Sequence, residues 1–144
     1  MQEIKSIGLK EARHIVRAMI EASENTEGMP MSAAVLDRHG DLVCLERMDG
    51  AMPRSGPMAI NKAHSALQFL RDTNESRQIQ AKLDLKPYEF CDPHYSTIEG
   101  GVLLKTKDGS IVGALGSSGR APMAPNGDED IARVGEKAWK ELGL

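Results

Sequence analysis

The segment CDPHYSTIEGG, residues 91–101, concentrates more chemistry than any other part of the chain. His94 stands beside Tyr95, with Glu99 a few residues on and Cys91 just before. A histidine next to carboxylates and a phenol is equipped to move a proton near neutral pH. Cys91-x-x-His94 is half of a zinc-like spacing, but no second Cys/His pair follows, so no metal site is expected. The plain alternative is a loop thiol and a loop histidine without a chemical role.

Other candidates are spread along the chain. Lys62 falls among Ala59, Ala63 and Ala66, beside an apolar helical stripe. A lysine there can hold a carboxylate, pair with a structural acid or, if desolvated, act as a base. Arg47 and Asp49 flank Met48, either as a pair that fixes a loop or with Arg47 gripping a carboxylate bidentately. Cys44, between Val43 and Leu45, reads as a buried structural thiol. GALGSSG, residues 113–119, has three glycines at three-residue spacing. A phosphate cradle would need a helix directly after the glycine turn, with its N-terminus facing the anion. Here two prolines intervene, the next helix opens on Asp128, Glu129 and Asp130, and no Walker-type lysine is present. Glycines at a strand end instead admit a second backbone or a ligand, with Gly116, Ser117, Ser118 and Gly119 forming the lip.

The elements that must carry these residues follow from periodicity. Ala12, Ile15, Val16, Met19 and Ile20 predict an amphipathic helix over 9–23. Strands over 31–36 and 41–47 flank the turn formers DRHG, and a second hairpin joins GVLLKT to SIVGALG across KDG. Helices are predicted over 58–71, about 75–83 and 128–142, the last capped by Asp128 or Asp130. Adjacent strands joined by tight turns give an antiparallel sheet of two hairpins with helices on its faces, an α+β fold.

The bulk numbers agree. The 144 residues suit one domain with its own core. A net charge of −3 gives no reason to expect nucleic acid or an anionic membrane surface as a partner. The N-terminus lacks an apolar h-region and no run approaches the roughly 18 apolar residues of a membrane span, so a cytoplasmic protein is expected. Two cysteines read as reduced thiols. Aromatic residues are only 3%, and eight methionines take over part of the space-filling.

Four segments in fixed order resemble the GlcG/HbpS family, the haem-degrading or PduO C-terminal-like domains. They are AAVLDRHGDLVCLERMDGA, AINKAHSALQF, EGGVLLKTKDGSIVGALGSSG and DEDIARVG. The match covers nearly the whole chain. Ser65 stands where the family more often has threonine, Leu103 replaces a proline, and RAPMAPNG lengthens the last connection. The resemblance implies a profilin-like α+β fold, assembly as homo-dimers or higher oligomers, and haem or a tetrapyrrole as ligand. It draws attention to Lys62, Arg47, Asp49, Gly100, Gly101 and the 116–119 lip as ligand-binding positions. His14, His39, His64 and His94 are the histidines that could face a haem iron, although so few aromatic side chains offer little to sandwich a porphyrin. Two functions follow. One is a small-ligand-binding accessory protein. The other is a cofactor-free isomerase, tautomerase or hydrolase of organic-acid or aromatic catabolism. In that enzyme Lys62 or Arg47 would hold a carboxylate while His94, Tyr95 or Glu99 moves a proton.

Overall fold

The computed structural model describes residues 1–144. In chain order the elements are α1 (Leu9–Glu24), β1 (Ser32–Asp37), β2 (Leu42–Arg47), α2 (Ser55–Phe69), α3 (Thr73–Lys82), a short 3-10 turn (Pro87–Phe90), β3 (Gly101–Lys105), β4 (Ile111–Ser118) and α4 (Asp128–Glu141). Both hairpins form, and they join through β1 and β4 into one antiparallel sheet of order β2-β1-β4-β3. The α+β expectation therefore holds. No helix is long and apolar enough to cross a membrane.

Alternation along β1 sorts the core into two layers. Ala33 and Val35 face α1 and α4, where Ile15, Met19, Ile131 and Trp139 complete the larger cluster. Leu36 faces the other way and packs with Leu103, Ala114 and the Ala63, Ala66 and Leu67 stripe of α2. β2 is an edge strand, which corrects the reading of Cys44 as buried: it is only half-buried. That burial, reinforced by Glu46, still raises its thiol pKa.

Element ends differ from the sequence reading for identifiable reasons. α2 begins at Ser55, ahead of Pro57, because the first turn of a helix needs no intrahelical N–H donors. It stops at Phe69, where Leu70 turns left-handed with φ 51°. α3 starts at Thr73, after an extended Asp72 whose carbonyl accepts the N–H groups of Glu75 and Ser76. The capping expectation for α4 is corrected as well. Gly127 occupies the cap position without a side-chain bond, Asp128 turns into the protein, and Asp130 accepts the Asn126 N–H at 2.9 Å.

The glycines of the 113–119 stretch serve close packing. A Cβ on Gly116 would run into the Ala59 carbonyl of α2, and one on Gly101 into the Lys62 carbonyl. The backbone of α2 thus lies directly on β3 and β4, closer than any side chain would permit. Gly116→Ala is expected to destabilise the fold by about 3 kcal/mol or more, because backbone on both sides must move. Gly109→Ala, in a turn with open space around it, should cost only about 1 kcal/mol for its positive φ. Urea denaturation of the two variants measures the difference.

Candidate functional site

Lys62 is the largest fully buried side chain in the protein, at 1% exposure. Its ammonium donates to the Ser117 carbonyl and to Asp128 Oδ2, each at 2.8 Å. The other oxygen of Asp128 accepts the Arg120 N–H at 2.9 Å. Burial pulls the lysine pKa down, and the Asp128 charge and hydrogen bond oppose it. The neighbouring turn is organised around the same point. Gly100 donates its N–H to Glu129 Oε2 at 3.0 Å and accepts from the Ser117 N–H at 3.0 Å. Gly101 donates to Thr73 Oγ1 at 3.0 Å. Arg120 is fully engaged, donating to the carbonyls of Ser23, Met29 and Asn126 and to the Thr26 hydroxyl.

Two cavities flank α2. The first, about 360 Å³, lies between α2, the β1–β2 turn and the loop around His94. Leu36, Pro57 and Ile60 give it apolar walls, while His64, His94 and Asn61 supply polar ones. The two imidazole rings are 6.3 Å apart and nearly perpendicular. Asp92 organises this side. One oxygen meets His64 Nε2 at 2.6 Å and the other accepts the His94 backbone N–H at 2.9 Å. The second cavity, about 450 Å³, opens between the first turns of α2 and the connection from β4 to α4. Lys62, Asp128, Ser118 and Gly119 border it.

The structure therefore distributes the candidate residues over several places. Lys62, Ser118 and Gly119 meet at the second cavity, with Gly100, Gly101, Gly116 and Ser117 packed behind it. Ser117 is fully buried and its hydroxyl lacks a partner. His94 belongs to the first cavity. Tyr95 points elsewhere: it is buried in a cluster with Phe69 and Phe90, and its hydroxyl accepts from Gln80. Glu99 is half-buried, 3.5 Å from Arg77. Arg47 and Asp49 lie apart from both cavities, in a groove beside Ile20 and Glu24 of α1. Cys91 is exposed at the end of the 3-10 turn.

Two partners escaped the sequence reading. Asp128 looked like a helix cap, and its pairing with Lys62 spans 66 residues without a local signal. Asp92 was passed over beside His94, although an aspartate two residues before a histidine is placed to accept that residue's N–H.

An open antiparallel sheet with helices on both faces defines the class as α+β, with a buried lysine–aspartate pair at one end and a histidine cleft beside it. The model of the family described as haem degrading protein HbpS-like matches residues 7–136, and the chain belongs to that family. Among solved structures, a double mutant of Streptomyces reticuli HbpS is 31% identical, with 95% of this chain and 89% of that one covered at a TM-score of 0.79. The PduOC:heme complex is 25% identical, covering 92% and 94% at 0.80. Klebsiella pneumoniae ORFY, at 22% identity, shares the fold over 97% and 94% of the two chains at 0.85.

Two tests address this region. Asp128→Asn leaves a buried ammonium without its counter-charge and should cost about 3–5 kcal/mol in urea denaturation, whereas adding Lys62→Met to Asp128→Asn, which keeps an acceptor for the Arg120 N–H, should recover part of that loss. The second concerns Asp92, whose pKa is lowered chiefly by the hydrogen bond from His64. A depressed carboxylate contributes stability above its ordinary pKa and loses it as pH falls through the folded value. Amide exchange at His94 should therefore lose protection below about pH 4, while core amides such as that of Leu115 keep theirs.

Proposed function

We propose that the protein is a small-ligand-binding protein and that haem is the ligand, held in the cleft bordered by His64 and His94. The observation that carries this reading is the carboxylate-backed histidine pair on a half-apolar cavity. A histidine whose ring nitrogen is fixed by a carboxylate is oriented and made more basic, the usual support of a metal-ligating imidazole. No three His, Cys, Asp or Glu side chains are gathered closely enough to hold a metal ion by themselves. A porphyrin brings its own equatorial ligands, so one or two imidazoles are sufficient protein donors for its iron. Leu36, Pro57 and Ile60 suit the apolar macrocycle, and Asn61 offers a hydrogen bond at the edge. These residues suit the iron and the apolar part of the macrocycle.

When bound, haem would supply an iron whose reactivity its surroundings tune. The chain's own contribution is orientation. Asp92 sets the His64 ring and, through the His94 N–H, the position of the loop that carries the second imidazole. The family match and the haem complex of PduOC support this choice of ligand. The Lys62–Asp128 pair takes no part in holding the iron and keeps α2 in place.

Titration with hemin, followed by absorbance, tests the reading. A saturable, sharp Soret band at fixed stoichiometry is expected. His64→Ala or His94→Ala should abolish or shift it, and Asp92→Asn should weaken binding roughly tenfold. A broad, unsaturable shoulder, or a band unchanged in both histidine variants, overturns it.

A further inference from the structure

We infer that the second cavity, between the first turns of α2 and the β4–α4 connection, is a separate binding site for a small organic monocarboxylate with an apolar body. Its floor is the Lys62–Asp128 ion pair, which has spare donor capacity. The Lys62 side chain is 2% exposed and its ammonium meets two protein acceptors, Ser117 O and Asp128 Oδ2. An ammonium has three protons, and the side chain borders the cavity, so the third is available to a ligand oxygen there. Ser118, nine-tenths buried on the same wall, lies outside the hydroxyl pair formed by Ser32 and Ser55. It offers a second donor.

Charge sets the class of ligand. Lys62 is balanced by Asp128, and the Arg120 guanidinium is spent on backbone carbonyls and Thr26. Arg54, exposed at the mouth of the cavity, is the cation left over. One uncompensated positive charge beside an aspartate suits a monoanion. A phosphate dianion would meet the Asp128 carboxylate at close range. Arg54 can also grip a carboxylate bidentately, a geometry its planar guanidinium favours.

The rim sets the rest of the ligand. Met29, Met52 and Ile98 border the cavity with a third or more of their surface exposed. Flexible thioethers around an opening adapt to an apolar body of varied shape, while Arg54 and the Lys62 ammonium take its carboxylate. The site shares α2 with the histidine cleft, but uses different residues of it.

Isothermal titration of the intact protein with benzoate and hexanoate, against benzamide, hexanamide and phenyl phosphate, tests the site. A carboxylate should bind saturably, with its amide roughly tenfold weaker or more, the difference expected for a lost charge-assisted contact. Arg54→Gln should weaken the carboxylate by a similar factor, and Ser118→Ala by several-fold, with thermal midpoints unchanged. Both variants should still take up hemin, and His94→Ala should still bind the carboxylate, so failure of this site and failure of the haem reading give different results. The proposal is overturned if no carboxylate saturates, if the amides bind as well, if phenyl phosphate binds more tightly, or if Arg54→Gln has no effect.

Discussion

The joint on which this architecture turns is the buried pair of Lys62 and Asp128. An ammonium removed from water is tolerated only when paired and hydrogen-bonded. Here its partners come from two further elements, the Ser117 carbonyl at the end of β4 and the first residue of α4. Asp128 passes the constraint on by accepting the Arg120 N–H, and Arg120 in turn ties together the end of α1, the entry to β1 and the approach to α4. One charge pair therefore fixes α2, on one face of the sheet, relative to α4, on the other. The glycines belong to the same device. Because Gly101 and Gly116 allow the α2 backbone to rest on β3 and β4, the Lys62 stem is long enough to pass the sheet end and reach Asp128.

Much of the fold could be read from the sequence because the physics behind it is local. The α1 stripe, both hairpin turns and the amphipathic α4 each declare themselves within one or two turns of chain. What could not be read depends on distant partners. A carboxylate at the start of α4 is explained locally by the helix dipole, so nothing nearby marks Asp128 as the counter-ion of a lysine 66 residues away. Cys44 looked internal because its neighbours are apolar, but order in the sheet is decided by pairing, and β2 is paired on one side alone. The candidate site divides for the same reason. Spacing in sequence placed Tyr95 with His94, whereas packing sends the phenol inward and the imidazole outward.

The loop 91–96 shows how irregular chain is made definite without regular hydrogen bonding. Asp92 uses both oxygens, one toward α2 and one toward its own loop. Ser65 accepts the Ser96 N–H at 2.8 Å. Tyr95 then buries its ring against Phe69 and Phe90, with centroids about 5 Å apart. Both phenylalanines and one of the two tyrosines are thus committed to one satellite cluster. The low aromatic content is less a shortage than a concentration, since rings give large contact area with few rotatable bonds. They sit where a loop bearing an imidazole has to be held still.

This arrangement gives α2 two unlike faces. Ile60 and His64 face the histidine cleft, while Met58 and Lys62 face the second cavity. Residues two apart along a helix point in different directions, so the alternation Met58, Ile60, Lys62, His64 supplies both sides from one stretch of chain. The two spaces share α2 as a wall. Any shift of α2 along the sheet is opposed by glycine contacts that leave no clearance and by an ion pair that cannot be stretched without exposing a bare charge. The helix is thereby held as a partition between the two cavities.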